Sequence, residues 1–240
     1  MTDLSALKSA NSRRWADAKV LRRAEFVAVA KHLVMVSAKV RYQTVEAKTG
    51  VPWPVIAVIH EREASQDWTG NLAQGDPWNR RSVHVPVGRG PFNSWEDAAV
   101  DALVNCAPYA ARNNDWSPGG ILTLLESYNG LGYASKHVPS PYVWAGTDQY
   151  SAGKYVRDGV YDPNAVDKQL GCAGLLMAMM ALDRTISIDG KMPPIVVLPS
   201  APNPPPPDIP KPPSITNPAK GSIGSFIANI FAAIFKRNKP

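Results

Sequence analysis

The sequence predicts a predominantly helical α+β domain that carries a small β-hairpin region. Apolar residues recur at the three- and four-residue spacing of amphipathic helices in several segments before residue 190. Two segments interrupt this pattern, 70–91 and 140–162, and both are rich in glycine, proline and other turn-forming residues. A chain of 240 residues with 45% hydrophobic residues can bury the core that such a domain needs. We therefore expect one folded domain over residues 1–190.

The remaining residues are predicted to form a linker and a tail. Twelve prolines between Pro193 and Pro218 cannot support a packed core, so residues 191–220 are expected to form an extended linker. Residues 221–240 are predicted to form an amphipathic tail helix with a basic end, because its large apolar residues share one helical face. The apolar segment is shorter than the roughly twenty residues that span a bilayer. It is expected to lie in an anionic membrane interface through residues 222–237, or to dock on a protein surface.

Net positive charge is concentrated at the two ends of the chain. Residues 1–23 hold six basic and two acidic side chains and residues 191–240 hold six basic and one acidic, so a net charge of +6 leaves −3 between them. No zinc-ligand spacing, aromatic RNP pattern or basic heptad is present, so nucleic acid is not expected as a partner. The polar N-terminus lacks the pattern of a signal peptide, so synthesis in the cytoplasm is expected. Cys106 and Cys172 are expected to be core thiols, and whether they pair is open.

The first helices are predicted from caps and helix breakers. Asn11 and Ser12 are candidate caps of a short helix that ends near Lys19. Neither glycine nor proline interrupts residues 24–48, so we expect one long helix there. Gly50 is expected to end it.

Later elements follow from similar signals. Residues 82–88 combine short-strand and turn residues, and we predict the small β-hairpin region there. Ser94 is expected to cap a helix, and a second helix is expected to start after Ser117 and Pro118 and to end near Ser127. A final helix is predicted over 162–182.

One helix has the pattern that delivers an acid from the core to a cleft. Prolines 52 and 54 suit its first turn, and the apolar run 55–59 leads into carboxylates and polar groups. A glutamic acid at such a junction is partly desolvated, which favours its protonated form and suits a general acid. Glu61 and Glu63 are the two candidates.

Helical geometry separates these two candidates. Each residue turns about 100°, so the side chains of Glu61 and Glu63 point about 200° apart and only one can face a cleft. Glu63 follows the apolar residues Ile56 and Ile59 at +7 and +4, which places it at the end of the buried stripe. We predict Glu63 as the catalytic acid and Glu61 as an exposed surface charge.

Four segments together resemble the lysozyme-like peptidoglycan hydrolases that phages and prophages of Gram-negative bacteria encode. They are 59–68, 74–77, 84–89 and 128–133. The resemblance covers residues from about 12 to 182 and rests on the combination of the segments. It implies a lysozyme-like domain of an endolysin, which cleaves the β-1,4 bond between N-acetylmuramic acid and N-acetylglucosamine in peptidoglycan after reaching the periplasm.

The resemblance also implies roles for individual residues. Glu63 protonates the glycosidic oxygen, and Asp76 either orients a water or stabilises charge, as the second carboxylate does in phage lysozymes. Alternatively, the Asp-Pro pair at 76–77 only starts a turn. A lytic transglycosylase needs no second carboxylate, because the substrate's own groups complete the reaction and leave a 1,6-anhydro product. Both reactions stay open.

Further residues are expected to contact the substrate by resemblance to soluble lytic transglycosylases: Ser65, Gln74, Tyr128, Asn129 and Tyr133. The serine lies two residues after Glu63 rather than directly after it, and residues 70–75 replace the usual Gly-Leu-Met-Gln segment. The tyrosines can equally be core residues, and Asn129 can be a helix cap. His84 is expected to be a hydrogen-bonded side chain without a catalytic role.

No cofactor is expected, and because the histidines show no metal-ligand spacing, no metal is expected either. Two non-endolysin alternatives stay open: a virion-associated protein, and a non-catalytic wall-binding scaffold with the same fold.

Overall fold

The computed structural model describes residues 2–188. The predicted linker over 191–220 and the predicted tail helix over 221–240 lie outside the described residues. Eight α-helices occur within the described part: α1 (Leu4–Asp17), α2 (Arg23–Leu33), α3 (Val36–Thr49), α4 (Trp53–Ala64), α5 (Trp95–Asn105), α6 (Pro118–Tyr128), α7 (Pro141–Trp144) and α8 (Cys172–Leu182). Two strands, β1 (Lys154–Arg157) and β2 (Val160–Asp162), form an antiparallel hairpin. The predicted predominantly helical α+β class is confirmed.

Helix α4 is the centre of the core. Residues 55–59 are all at most 1% exposed, so the helix is buried on every side along this run. Helices α3 and α8 pack against α4, and α5 packs against α3. As predicted, a proline starts this helix, since Pro52 is its N-cap and Pro54 lies in its first turn.

Helix α1 begins earlier than predicted. The side chain of Asp3 accepts hydrogen bonds from the backbone N–H groups of Ser5 and Ala6, so Asp3 is the cap instead of Asn11 and Ser12. Asn11 lies inside the helix and is fully buried, and its Oδ1 accepts a hydrogen bond of 3.3 Å from Nε1 of Trp144. The asparagine is therefore used for a tertiary contact, which is why the prediction of a cap there was wrong.

The predicted single helix over 24–48 is two helices, α2 and α3. They separate at Val34 and Met35 without a glycine or proline, because α2 packs against α8 whereas α3 packs against α4 and α5. The break frees the backbone oxygen of His32, which accepts a hydrogen bond from Nε2 of Gln66. As predicted, Gly50 ends α3, where it adopts the left-handed conformation with φ of 73°.

The predicted hairpin region at 82–88 is a loop, and the hairpin lies at 154–162 instead. The N–H groups of Val83 and His84 donate to the carboxylate of Asp76, so they are not available to a neighbouring strand. Pro86 has no N–H to donate. The side chain of Asp76 thus replaces the strand partner that the pattern of the sequence implied.

The last helix begins at Cys172 and not near Asp162. Asp162 ends β2, and its side chain accepts a hydrogen bond from the N–H of Asn164, which forms a turn. Gly171 then brings the chain against α7, where its N–H donates to the oxygen of Ala145. The predicted cap of α5 is confirmed, because Ser94 accepts a hydrogen bond from the first turn of this helix. Helix α6 starts at Pro118, close to the predicted position, and Ser117 is its cap.

Two further observations concern the described residues as a whole. Cys106 and Cys172 are buried, free thiols. Within residues 2–188, no helix combines the length and apolarity needed to cross a membrane.

Candidate functional site

The end of α4 places Glu63 at the edge of the core. The side chain is 7% exposed, and its Oε1 accepts a hydrogen bond of 2.8 Å from the hydroxyl of Tyr142 on α7. Burial raises the pKa of Glu63 to about 7, against the opposing effects of the Tyr142 hydrogen bond and the positive charge of Arg62. Glu63 is thus a carboxyl group that keeps its proton up to near-neutral pH.

The environment of Glu61 differs from the predicted one. The side chain is half-buried instead of exposed, and burial raises its pKa to about 7 as well. The prediction assumed that a residue off the apolar stripe faces water, but α4 is surrounded by other elements near its C-terminal end. A raised pKa therefore does not by itself distinguish Glu61 from Glu63. The hydrogen bond from Tyr142 distinguishes them, because it is made to Glu63.

Tyr142 and Arg62 are functional candidates that the sequence did not single out. The guanidinium of Arg62 lies over the Tyr142 ring, 4.6 Å from its centroid. It is fixed there by hydrogen bonds to the oxygen of Leu170 and to the carboxylate of Asp167. Asp167 also pairs with Lys154 on β1. This network holds Tyr142, which donates to Glu63. In the sequence, the only indication of these residues was that Arg62 directly precedes the candidate acid.

A second network holds the chain directly after α4. Ser65 and Gln66 are non-glycine residues in the left-handed region, with φ of 50° and 56°. The side chain of Gln66 compensates for this unfavourable backbone by donating to the hydroxyl of Tyr42 at 3.1 Å. Nδ1 of His60 lies 3.0 Å from the same hydroxyl. The predicted substrate contact Ser65 is exposed, and it caps α4.

His60 completes that network inside the core. Its Nε2 lies 3.1 Å from the backbone oxygen of Asp67, so the Nε2 proton is donated there and Nδ1 accepts from Tyr42. Burial lowers the pKa of His60 to about 4. This neutral histidine orders the turn that follows the candidate acid.

Asp76 lies in the loop that follows α4 and organises residues 82–84. Its Oδ2 accepts from the N–H groups of Val83 and His84 at 2.9 and 3.0 Å, and its Oδ1 lies 2.7 Å from Nδ1 of His84. Burial disfavours the charged form of Asp76, but these hydrogen bonds outweigh it and lower the pKa of the carboxyl. The predicted hydrogen bonding of the His84 side chain is confirmed.

Gln74 belongs to the same loop as Asp76, and Tyr128 of α6 packs against this loop. Gln74 is 4% exposed, and its Oε1 is buried without a hydrogen-bond partner among the described residues. Tyr128 is 2% exposed and donates through its hydroxyl to the oxygen of Leu72. Burial raises the pKa of Tyr128 well above its usual value, and the nearby carboxyl of Glu63 adds to this. Tyr128 therefore packs between the loop and the candidate acid.

Asn129 and Tyr133 lie farther along the chain from α6. Asn129 is the half-buried C-cap of this helix, which agrees with the alternative role considered for it. Tyr133 is 5% exposed and packs edge-to-face against Tyr155 and Tyr161 of the hairpin. The structure thus brings Glu63, Tyr128 and the loop with Gln74 and Asp76 together, whereas Tyr133 belongs to a separate aromatic cluster.

A second buried acid was not predicted. Glu126 on α6 is 1% exposed, and burial raises its pKa to about 7. Asn11 hydrogen-bonds to it and Arg14 lies nearby, both on α1. Glu126 therefore joins α1 to α6 and does not face Glu63. The sequence indicated this residue only as a single glutamate within the apolar run of α6. A glutamate on a solvent-exposed helix face gives the same pattern.

One large groove in the described part of the chain is not centred on Glu63. It has a volume of about 950 Å³ and lies along α1, α6 and the chain after α5. Its lining includes Thr123, Ser127 and residues 130–132, which directly follow Asn129. The groove and the candidate site therefore lie on different faces of α6 and approach each other at the end of that helix.

Comparisons with protein-family models, curated proteins and solved structures found no match to this chain.

Proposed function

We propose that the protein is a peptidoglycan-degrading glycosidase that cleaves the bond between N-acetylmuramic acid and N-acetylglucosamine, with Glu63 as general acid. The observation that carries this proposal is the environment of Glu63 at the end of the buried helix α4. The carboxyl is desolvated and accepts a hydrogen bond from Tyr142, and its pKa is raised to about 7. A glycosidase needs an acid that is still protonated at working pH.

The chemistry uses the two oxygens of Glu63 differently. Tyr142 occupies Oε1, so Oε2 carries the proton that passes to the glycosidic oxygen as the sugar bond breaks. Charge then develops on the sugar as an oxocarbenium-like centre, and the newly formed carboxylate is stabilised by the Tyr142 hydroxyl and by the positive charge of Arg62. The same groups that oppose protonation in the resting protein thus favour the product of proton transfer.

A lytic transglycosylase is the second candidate, and the geometry of Asp76 favours it. Three hydrogen-bond donors of residues 83 and 84 already engage the two oxygens of this carboxylate. A carboxylate committed to its own loop is poorly suited to activate a water. A transglycosylase does not need it, because the N-acetyl and hydroxyl groups of the substrate complete the reaction.

The test is the activity of Glu63→Gln on purified peptidoglycan. We expect at least a hundredfold loss of the cleavage rate, because general acid catalysis contributes about 10²–10⁴. Glu61→Gln is the matched control, since Glu61 lies on the same helix, is half-buried and has a pKa that is raised to about 7 as well. It is expected to retain most of the activity. Equal loss in both variants, or a wild-type protein without any activity, contradicts the proposal.

Mass spectrometry of the released fragments separates the two reactions. A reducing muramic acid end identifies hydrolysis, whereas a 1,6-anhydro end identifies transglycosylation. As an endolysin the protein acts on the wall from the periplasm, after a holin or its own tail gives passage through the membrane. Detection of the protein in purified phage particles is the result expected of a virion-associated lysin instead.

A further inference from the structure

Residues 80–88, the 80–88 loop, present arginine and valine side chains to solvent. Arg80 and Arg81 are exposed. Val83, Val85 and Val87 are 73%, 36% and 65% exposed. Among the described residues, the arginines that pair with carboxylates are Arg22, Arg41, Arg62 and Arg89. The loop therefore offers two unpaired positive charges beside three small aliphatic side chains.

Hydrogen bonds fix the backbone of the 80–88 loop in this orientation. The hydroxyl of Ser82, which is 3% exposed, donates to the oxygen of Pro86 and accepts from the N–H of Arg89, both at 2.8 Å. Asp76 holds the N–H of Val83. Because polar groups occupy the inner side, the valines cannot turn inward without breaking these bonds. A rigid loop that exposes apolar side chains loses little conformational entropy when it binds a partner.

The 80–88 loop is joined to the candidate site. Nε2 of Gln74 lies 3.5 Å from the oxygen of Pro86. A side chain built at Gly75 would begin 3.6 Å from the backbone oxygen of Glu63, so the chain just before Asp76 packs directly on the end of α4. A polymer that is cleaved at Glu63 and is branched near the cleaved bond can extend a branch toward this surface.

We infer that the 80–88 loop binds the stem peptides of the wall polymer, so that the enzyme prefers peptidoglycan that carries peptides over the bare glycan. This inference rests on the proposed function and names the part of the substrate that the loop recognises. Stem peptides carry free carboxylates and short aliphatic side chains. Arginine pairs with carboxylates, often through two parallel hydrogen bonds, and valine packs against methyl groups. Glycan freed of its peptides by an amidase keeps a single lactyl carboxylate on each muramic acid, whereas a stem peptide carries several carboxylates that extend away from the glycan.

The test compares two substrates for the full-length protein. One is intact peptidoglycan, and the other is the same material after an amidase has removed the peptides. The variant is Arg80→Gln/Arg81→Gln. We expect kcat/KM on intact peptidoglycan to fall about tenfold, which corresponds to about 1.4 kcal/mol shared between two exposed charge contacts. On the bare glycan, kcat/KM is expected to be unchanged, so the wild-type preference for peptide-bearing material disappears.

The control is Arg13→Gln/Arg23→Gln, which removes the same charge from two other exposed arginines. It is expected to keep the wild-type preference, which excludes an effect of net charge alone. A tenfold fall on both polymers, or no fall on intact peptidoglycan, overturns the inference. The inference is also overturned if the Arg80→Gln/Arg81→Gln variant loses binding to anionic lipid vesicles but keeps the preference for intact peptidoglycan, since the loop then binds membranes.

A failure of the proposed function can be distinguished from a failure of this inference. If the wild-type protein cleaves neither polymer, co-sedimentation with the two polymers still decides the inference. Stronger binding to intact peptidoglycan that the Arg80→Gln/Arg81→Gln variant loses then supports a peptide-binding loop without catalysis. Equal binding of wild type and variant to both materials overturns it.

Discussion

At the scale of single residues, the protonation of Glu63 is a balance between burial and two favourable contacts. Burial raises its pKa, whereas the Tyr142 hydroxyl and the Arg62 guanidinium lower it, and burial prevails at about 7. Arg62 also stacks on the ring of Tyr142. One cation therefore both positions the hydrogen-bond donor and acts on the acid through its charge.

Replacing Tyr142 with Phe tests this balance. The variant removes a donor that stabilises the carboxylate, so the pKa of Glu63 is expected to rise further. A general acid is active while protonated, so activity is lost as the pH rises through this pKa. The alkaline limb of kcat/KM on peptidoglycan should therefore move to higher pH by about one unit, the value of one hydrogen bond to a charged group. An alkaline limb that stays in place or moves to lower pH contradicts the assignment of Glu63.

At the scale of elements, a buried polar contact joins α1 to α6. Glu126 is 1% exposed, with one carboxyl oxygen lacking a hydrogen-bond partner in the described part of the chain. Asn11 and Arg14 of α1 face it. Such a carboxyl is tolerated while it is protonated, because ionisation would place a charge where burial disfavours it.

This contact makes stability depend on pH in a defined direction. The pKa of Glu126 is about 7 in the folded protein against an ordinary value of 4.5, so the folded state binds the proton more tightly. Its stabilising effect is complete below about 4.5 and is lost as the pH rises through about 7. The slope reaches about 1.4 kcal/mol per pH unit for one proton.

Denaturant unfolding at several pH values measures this effect. Glu126→Gln retains the shape of the side chain and does not titrate, so its free energy of unfolding should fall less steeply between pH 5 and 7 than that of the wild type. Glu61 and Glu63 contribute slopes of the same sign to both proteins, and these cancel in the comparison. Parallel curves for the two proteins would show that Glu126 does not titrate in this range.

At the scale of the whole molecule, positive charge is concentrated outside the middle of the chain. The net charge of the chain is +6, and residues 191–240 contribute six basic and one acidic side chain. Peptidoglycan and the membrane are both anionic surfaces, so under the proposed function a basic tail is expected to concentrate the protein at the wall and the membrane.

Deletion of residues 222–237 separates these two targets. The truncated protein should cleave purified peptidoglycan at the wild-type rate but bind anionic vesicles several-fold more weakly, because it loses its predicted apolar face and basic end. Vesicle co-sedimentation at low and high salt measures the change, and neutral vesicles are the control. Unchanged binding to anionic vesicles would reject the membrane role and favour docking on a protein surface.

The sequence by itself determined the elements whose signals are local. The cap at Ser94, the left-handed Gly50 and the proline start of α4 depend on a few adjacent residues, and each was predicted correctly. The burial of Glu63 was predictable for the same reason, since helical periodicity links it to Ile59 four residues earlier.

Only the tertiary structure decided the features that depend on distant partners. The break between α2 and α3 exists because the two helices pack against different elements, and Asp76 captured the N–H groups that a hairpin needed. Tyr142 reaches Glu63 from 79 positions along the chain. Periodicity shows which side of a helix is buried but not which side chain lies against it, so the donor that tunes the candidate acid became visible only in the fold.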